Sequence, residues 1–209
     1  MRHRARGIAL ATMLAAWSAV APATASAERV LVAFGDSLTA GHGVGPAEAY
    51  PALLGARLAA EGYDLRVINA GVSGDTTAGG LRRVDWALRL KPDIVIVALG
   101  ANDGLRGQDL ARVRDSLNQI VERFQSAGAR VLVAGMRLPP NYGRPYADDF
   151  HRLYQAVARR RGVALMPFLL DGVGGDPRLN QPDGIHPTAE GHRIIAARLW
   201  PYLRPLLTK

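Results

Sequence analysis

The sequence predicts an α/β fold, a three-layer α/β/α sandwich around a parallel sheet of about five strands. Short apolar runs rich in Val, Leu and Ile alternate along the chain with longer segments of helical character. Strands that are apolar throughout, with helices between them, are typical of parallel sheets whose two faces are both covered. No linker, internal repeat or low-complexity stretch interrupts this alternation after residue 27, so we expect one domain.

The first strand is predicted at residues 29–34, where Val and Leu predominate and Gly35 follows. Four further apolar runs are each followed within two residues by glycine or proline, and they lie at residues 65–69, 94–99, 130–134 and 163–166. Glycine and proline are the residues that most often end a regular element. These runs are therefore the predicted strands of the sheet.

Helices are predicted between and after these strands, at residues 51–61, 77–90, 109–127, 146–161 and 187–203. The first has Pro51 in its opening turn and Gly62 just beyond its end, a placement typical of helix boundaries. Pro187 is expected to begin the closing helix in the same way. Residues 139–145, which are dense in Pro, Gly and Asn, are predicted to form a loop.

The first 27 residues have the composition of a secretory signal peptide. Three arginines precede a largely apolar run over residues 8–20, and positions 25–27 supply the small residues of a cleavage site. A membrane anchor is the alternative, but the apolar run is short for a membrane span and Pro22 follows it. We therefore expect cleavage after Ala27. A domain of residues 28–209 would then be periplasmic or secreted, without stable membrane insertion.

The composition bears on partners and on stability. The chain carries a formal net charge of +8, and residues 1–27 contribute three arginines and no acid to it. Many other arginines fall on predicted helices, which favours a solvated basic face over attraction to anionic lipid. No basic stretch interleaved with aromatics indicates nucleic-acid binding. The chain has no cysteine, so its core must stabilise it without disulfides.

Four polar motifs stand where chemistry is expected in such a fold. They are GDSLT at residues 35–39, SGDT at 73–76, GAND at 100–103 and DGIHP at 183–187. The first three follow predicted strands, and the fourth precedes the closing helix. Because ligands of open parallel sheets bind beyond the carboxyl ends of the strands, we expect the motifs to meet at one site.

The motifs contain the parts that acyl transfer needs: a nucleophile, a base, a group that orients the base, and donors for the oxyanion. Ser37 lies just past a strand end and is the candidate nucleophile. His186 is the candidate base, and Asp183, three residues earlier, can hold its imidazole. The backbone N–H groups of Ser37 and Gly74 and the side-chain amide of Asn102 are the candidate oxyanion donors.

Each motif taken alone also fits a structural role. A serine after a strand is commonly a turn residue, and Asp183 could cap the closing helix. Ser73 is discounted as a nucleophile because GVSGD at residues 71–75 lacks the final glycine of the α/β-hydrolase elbow. His42 and His151 have no carboxylate partner at a recognisable spacing, so we interpret them as surface or structurally satisfied histidines.

In combination and in this order, the motifs resemble the four signature blocks of the SGNH, or GDSL, hydrolases. That family is named after a Ser, a Gly, an Asn and a His, which here are Ser37, Gly74, Asn102 and His186. Further stretches resemble one branch of it, the bacterial arylesterases and periplasmic thioesterase/lysophospholipase enzymes. These stretches are YPALL at residues 50–54, NDGLRG at 102–107, RLP at 137–139 and NYG at 141–143.

The resemblance implies a flavodoxin-like sheet, the SGNH hydrolase fold, and a triad of Ser37, His186 and Asp183 that works without a metal or cofactor. The implied reaction is hydrolysis of small carboxylic esters or acyl thioesters through an acyl-serine intermediate, by a chain that we expect to be monomeric. A carbohydrate acetylesterase on the same scaffold remains open as an alternative. So do a noncatalytic exported binding domain and a nucleotide-binding flavodoxin-like protein.

Two loops are predicted to shape the substrate pocket. Leu105 closely follows the Asn102 donor, while Leu138 and Tyr142 belong to the loop after the fourth strand. By analogy with the family that the chain resembles, the region of Leu105 and Leu138 leads us to expect acyl substrates.

Overall fold

The computed structural model describes residues 28–207 and has a five-stranded parallel sheet at its centre. The strands are β1 Arg29–Gly35, β2 Leu65–Gly71, β3 Ile94–Ala98, β4 Arg130–Ala134 and β5 Ala164–Met166. They lie in the order β2-β1-β3-β4-β5, and every neighbouring pair is parallel. The predicted signal peptide at residues 1–27 lies outside the described residues.

Within residues 28–207, seven α-helices accompany the sheet, and five of them form its two outer layers. The helices are α1 Ser37–Ala40, α2 Tyr50–Ala60, α3 Thr77–Leu88, α4 Ala101–Leu105, α5 Leu110–Ser126, α6 Arg144–Arg161 and α7 Ala189–Leu203. Helix α5 packs between α3 and α6, while α2 packs against α7. The predicted three-layer α/β/α sandwich is confirmed.

The position of each strand in the sheet explains its composition. All five residues of β3 are buried, because β3 has a strand on each side and helices on both faces. The edge strand β2 is only partly buried and accordingly contains Arg66 and Asn69. Between β1 and α5, Phe34 and Phe124 pack edge to face with ring centres 5.3 Å apart. The core is therefore built around β1, β3 and β4, and the functional loops leave from the carboxyl ends of the strands of this sheet.

The structure corrects the predicted boundary of the closing helix. Helix α7 begins at Ala189, and the Thr188 side chain caps it by accepting from the Gly191 N–H. Pro187 therefore does not start the helix. It pairs instead with Asn180 in an isolated antiparallel bridge. A hydroxyl cap satisfies a free N–H of the first turn, which proline at that place cannot do.

Three further elements differ from the predicted loops. Helices α1 and α4 span four and five residues, too few for an apolar period to be visible in the sequence. The predicted loop at residues 139–145 contains a 3₁₀ turn, Pro140–Tyr142. Helix α6 also begins inside this stretch, with Pro145 in its opening turn, where the missing N–H of proline costs nothing.

Candidate active site

Ser37 is the first residue of α1, a single helical turn directly after β1. The Asp36 side chain caps this turn by accepting from the Leu38 N–H at 3.0 Å. Gly35 makes the tight entry possible, because a Cβ at this position would lie 2.0 Å from Thr39 Oγ1 and 2.7 Å from the Ala98 carbonyl oxygen. The Ser37 N–H therefore belongs to the unpaired amides of a helix start, which can bind an anion.

Gly74 lies in the loop between β2 and α3, with a φ of +80° that favours glycine. The Gly74 carbonyl oxygen accepts from an Arg106 guanidinium N–H at 3.3 Å. Two residues later the Thr76 hydroxyl caps α3 by accepting from the Gly79 N–H at 3.1 Å. The loop is thus held on both sides of the glycine whose N–H was predicted to face the oxyanion.

Asn102 lies in α4, just beyond β3. Its Nδ2 donates to the Asp75 carbonyl oxygen at 2.9 Å, which ties α4 to the Gly74 loop. The neighbouring Asp103 accepts from both the N–H and the hydroxyl of Thr77, at 2.9 and 2.7 Å. A primary amide carries two N–H groups, so Asn102 can hold the loop with one and offer the other to a substrate.

His186 connects two of the predicted site residues in one hydrogen-bonded chain. Its Nε2 lies 2.9 Å from Ser37 Oγ, and its Nδ1 lies 2.6 Å from Asp183 Oδ2. An ionised carboxylate only accepts, so Nδ1 carries the hydrogen and Nε2 accepts the Ser37 hydroxyl. The three residues come together from opposite ends of the sequence with the geometry of a nucleophile, a base and an orienting acid.

Asp183 is held as an anion by its own loop. Its Oδ1 accepts from the backbone N–H groups of His186 at 3.0 Å and Ile185 at 2.8 Å, while Oδ2 accepts from the imidazole. The bond from the His186 N–H, the imidazole bond and the Ile185 bond together keep the pKa of Asp183 well below its ordinary value. The carboxylate is therefore charged throughout the range in which a histidine works as a base.

The two ends of the histidine loop, residues 180–188, are joined by hydrogen bonds. The bridge between Asn180 and Pro187 is joined by a bond from the Gln181 N–H to the His186 carbonyl oxygen at 2.7 Å. The Gln181 side-chain amide donates to the carbonyl oxygens of His42 and Pro187, at 2.7 and 3.0 Å. These bonds fasten the loop to the segment that follows α1, and so to Ser37.

A model of the GDSL-like lipase/acylhydrolase family matches residues 33–194, most of the chain and all of the predicted site residues. The chain belongs to this family. It is 45% identical over 183 residues to the esterase TesA of Pseudomonas aeruginosa. The matched region covers 87% of this chain and 91% of that protein. It is also 38% identical over 184 residues to an Escherichia coli protein named thioesterase 1/protease 1/lysophospholipase L1, with 88% and 87% covered.

The fold of the GDSL-like hydrolases is equally clear in a solved structure. The crystal structure of TesA superimposes with a TM-score of 0.84 at 46% identity, and the match covers 86% of this chain and all of that one. The family, the fold and the class of enzyme predicted from the sequence are confirmed: the chain is a serine hydrolase of ester bonds. A noncatalytic binding domain and a nucleotide-binding protein are thereby set aside.

In this GDSL-like hydrolase the Ser37 hydroxyl opens on a cavity of about 450 Å³. Ser37, Asn102 and His186 contribute to its wall. The rest of the lining is mostly apolar and includes Leu38, Leu105, Met136, Leu138, Phe168, Leu170 and Ile185. The cavity therefore joins the polar groups of the site to a space suited to hydrocarbon.

Two of the three residues predicted to bind substrate line this cavity. Leu105 and Leu138 line it as expected, but Tyr142 is not among its lining residues. The Tyr142 hydroxyl donates to the Leu105 carbonyl oxygen at 3.1 Å, so Tyr142 contacts the wall and not the space. A buried or half-buried tyrosine hydroxyl needs a polar partner, and the backbone of α4 supplies it here.

Two parts of the site were missed by sequence reasoning. Phe168 and Leu170 follow β5, where no polar motif marked the strand end. His42, interpreted as a surface or satisfied histidine, is exposed, but its ring centre lies 4.5 Å from that of His186. The glycine-rich stretch GHGVG at residues 41–45 was the available signal for His42, since glycines favour a tight turn directly after the Ser37 motif.

Between residues 28 and 207, no helix is both long and apolar enough to cross a membrane. In the same range, no three His, Asp or Glu side chains are grouped as a metal site would require.

Proposed function

We propose that this hydrolase releases fatty acyl groups from esters and thioesters through an acyl intermediate on Ser37, with His186 as base and Asp183 as orienting acid. The observation that carries the proposal is the hydrogen-bonded chain from Ser37 Oγ through His186 to Asp183, which opens on an apolar cavity. Polar groups for acyl transfer and a space for hydrocarbon are thus parts of one site.

In the first step Ser37 Oγ attacks the acyl carbonyl carbon while His186 Nε2 takes the hydroxyl proton. The Asp183 carboxylate stabilises the imidazolium that forms, because it already accepts from Nδ1. The negative charge develops on the carbonyl oxygen. The N–H groups of Ser37 and Gly74 and the Asn102 amide are the donors that we assign to that oxygen.

The remaining steps return the enzyme to its resting state. His186 gives its proton to the leaving alkoxide or thiolate as the bond from the carbonyl carbon breaks, which leaves Ser37 acylated. A water molecule then attacks the acyl group and passes its proton to His186. Collapse of this second tetrahedral intermediate releases the carboxylic acid, and the proton returns to Ser37 Oγ.

The cavity wall favours an acyl chain over a sugar as the bound group. Leucine, methionine and phenylalanine side chains offer no hydrogen bonds to the hydroxyl groups of a carbohydrate. A carbohydrate acetylesterase would need polar side chains around the leaving group and little room for the acyl group. The relatives named esterase and thioesterase 1/protease 1/lysophospholipase L1 support testing oxyesters, thioesters and lysophospholipids together.

The test is a substrate profile of the purified protein with Ser37→Ala beside it. We expect kcat/KM for p-nitrophenyl esters to rise from acetyl to longer acyl chains, with activity on acyl thioesters and little on acetylated oligosaccharides. Ser37→Ala should lose about 10⁶-fold in kcat, because nucleophile and base act as one unit. An Ser37→Ala protein that kept its activity would exclude the mechanism, and a preference for acetylated sugars would exclude the substrate class.

We also propose that the enzyme acts outside the cytoplasm. The basic, apolar and small-residue segments of residues 1–27 support export followed by cleavage after Ala27. Expression of the full chain should place the activity in the periplasmic fraction or the medium, with Glu28 as the new N-terminal residue by sequencing. Activity confined to the cytoplasm with an uncleaved N-terminus would contradict this proposal.

A further inference from the structure

The Arg83 side chain, on α3, donates hydrogen bonds to three separate segments of the active site. Its Nε donates to Asp75 Oδ2 at 2.7 Å, and its two terminal nitrogens donate to the carbonyl oxygens of Ala70 at 2.9 Å and Gly35 at 2.8 Å. Its guanidinium also lies 4.0 Å above the ring centre of Phe34. A planar group with donors on three sides is needed here, so lysine could not replace it.

The three bonded segments are those that support two of the proposed oxyanion donors. Gly35 ends β1 two residues before Ser37, and Asp75 immediately follows Gly74. Ala70 lies in β2, near the start of the same loop. The spacing between the Ser37 and Gly74 N–H groups therefore depends on a bridge that runs through Arg83.

The surrounding sequence is adapted to this bridge. A Cβ at Gly79 would lie 1.7 Å from Asp75 Oδ1, so only glycine leaves room for the carboxylate against α3. The Asp75 carbonyl oxygen is meanwhile held by Asn102 Nδ2. The Asp75 and Arg83 side chains are only 10% and 18% exposed, so solvent competes little for their bonds.

We propose that Arg83 is a positioning residue of the oxyanion hole. It keeps the Gly74 N–H at the distance from the Ser37 N–H that lets both groups donate to the same oxyanion. This inference rests on the proposed roles of Ser37 and Gly74. Oxyanion donors act only when they lie about 2.7–3.1 Å from the developing charge, and a displacement of about 1 Å can cost about 10²-fold in rate. Arg83 contributes through geometry alone, since its nitrogens are engaged by Asp75, Ala70 and Gly35.

The experiment compares Arg83→Met and Arg83→Lys with Arg82→Met, a matched control. Arg82 is the preceding residue of the same helix and is exposed. The active fraction of each protein is counted by labelling with a fluorophosphonate, and kcat and KM are then expressed per labelled site. We expect Arg83→Met to lower kcat about 10- to 100-fold and to leave KM within about twofold of the parent. The kcat of Arg83→Lys should lie between those of the parent and Arg83→Met. Arg82→Met should have the kcat and KM of the parent.

A transition-state analogue gives a readout that a purely stabilising role would not change. A short alkyl trifluoromethyl ketone adds to the serine hydroxyl and places an oxyanion in the hole. Its Ki should rise in Arg83→Met by the same factor as kcat/KM falls. An unchanged Ki and kcat per labelled site, with only a lower active fraction or a lower Tm, would overturn the proposal.

Two further variants test whether the loss of kcat in Arg83→Met comes from a displaced Gly74 loop or from the buried, unpaired charge of Asp75. Arg83→Met leaves Asp75 as a nearly buried carboxylate without its cation, and the double variant with Asp75→Asn removes that charge. We expect the double variant to regain Tm while kcat stays low; recovery of both would overturn the proposal. Gly79→Ala, which displaces Asp75 without touching Arg83, should reproduce the kcat loss, and parental kcat and Ki there would also count against it.

The outcomes also distinguish this inference from the proposed function. If Ser37→Ala is inactive while Arg83→Met is parental per labelled site, the mechanism stands and only the role of Arg83 is lost. If Ser37→Ala remains active, the assignment of the nucleophile fails first, whatever Arg83 does.

Discussion

The serine side of the active site, residues 35–39, 75–77 and 100–103, is mostly buried, whereas the histidine loop is largely exposed. On the serine side the supporting bonds join distant segments. The Thr39 hydroxyl pairs with the Tyr50 hydroxyl at 2.8 Å, and the Asn69 amide donates to the Thr39 carbonyl oxygen at 2.8 Å. In the histidine loop, by contrast, all the bonds that Asp183 accepts come from residues within three positions of it.

This difference in burial implies that the two sides of the site contribute differently to stability, although both contribute to catalysis. Buried polar groups that lose a partner destabilise the folded state, because water cannot replace the missing bond. Exposed groups in a local turn regain solvent when a bond is lost and change the free energy of unfolding little. We therefore expect serine-side substitutions to affect both activity and stability, and histidine-loop substitutions to affect activity alone. The following variants test this contrast in order of decreasing effect.

Asp183→Asn should give the largest effect, about 10⁴-fold in kcat, because an amide cannot hold the imidazole in the tautomer that accepts the Ser37 proton. The Tm should stay within about 1–2 °C of the parent, since the position is exposed and an amide oxygen can still accept from the N–H groups of Ile185 and His186. Steady-state kinetics and thermal unfolding of the same preparation check both expectations. A marked loss of Tm would show that the histidine loop is coupled to the core and would break the contrast.

Asn102→Ala should lower kcat about 10²- to 10³-fold by removing one oxyanion donor. It should also lower Tm, because the same amide holds the Asp75 carbonyl oxygen. Gln108→Ala, a polar-to-alanine change at an exposed position after α4, is the control and should change neither. A loss of kcat without any change in Tm would contradict this expectation. Asn102 would then affect activity alone, as we expect of residues in the histidine loop.

Asp103→Ala should destabilise the protein by about 2–4 kcal/mol, since it leaves both the N–H and the hydroxyl of buried Thr77 without their acceptor. Its effect on kcat should be smaller than that of Asn102→Ala at a temperature where both proteins are folded. Urea unfolding gives the first quantity and kinetics per labelled site give the second. Parental stability would mean that water or another group can satisfy Thr77.

Asp36 provides a pH test of the buried side. Burial raises its pKa from 3.8 to about 7; the Leu38 N–H opposes this shift, and the charge of Asp75 adds to it. Between these two pH values the folded protein holds a proton that the unfolded chain releases, so the free energy of unfolding falls as pH rises and levels off above about 7. In Asp36→Asn the fall between pH 5 and 7 should be smaller by about 2 kcal/mol.

The control for this measurement is Asp64→Asn, which changes an exposed carboxylate and should leave the pH dependence as it is. Denaturant titrations at pH 5, 6 and 7 give the slopes of all three proteins. Identical slopes for the parent and Asp36→Asn would show that Asp36 is ionised in the folded state, and that it has a partner which the hydrogen-bond pattern does not include.

The sequence was informative wherever a local rule applies. Apolar runs ended by glycine predicted the strands to within about two residues, and strand ends in a parallel sheet identified the edge at which the motifs meet. Asp183 and His186 could be paired because three residues separate them. Ser37 is 149 positions from His186, so it could be related to that pair only through the edge of the sheet at which the motifs meet and through the family resemblance.

What remained hidden depends on contacts between distant segments. Arg83 had no visible partner in the sequence, because Gly35 lies 48 positions away and only the packing of α3 against β1 brings it close. Phe168 reaches the cavity because β5 is short and its following loop turns inward, and neither feature has a periodic signal. Pro187 was misassigned because a proline before a helix and a proline within a bridge look alike locally.

The bridge between Asn180 and Pro187 and the bond from the Gln181 N–H to the His186 carbonyl oxygen close the histidine loop into a ring of backbone. Inside the ring, His186 and Asp183 keep their mutual orientation whatever the ring does as a whole. Two bonds join the ring to α1 and the segment after it: the one between His186 Nε2 and Ser37 Oγ, and the one from the Gln181 side-chain amide to the His42 carbonyl oxygen. Warming should therefore uncouple the base from the nucleophile by displacing the ring from α1, at a temperature below that of global unfolding. Heat inactivation of this enzyme would then begin as a reversible loss of alignment in a molecule that is still folded.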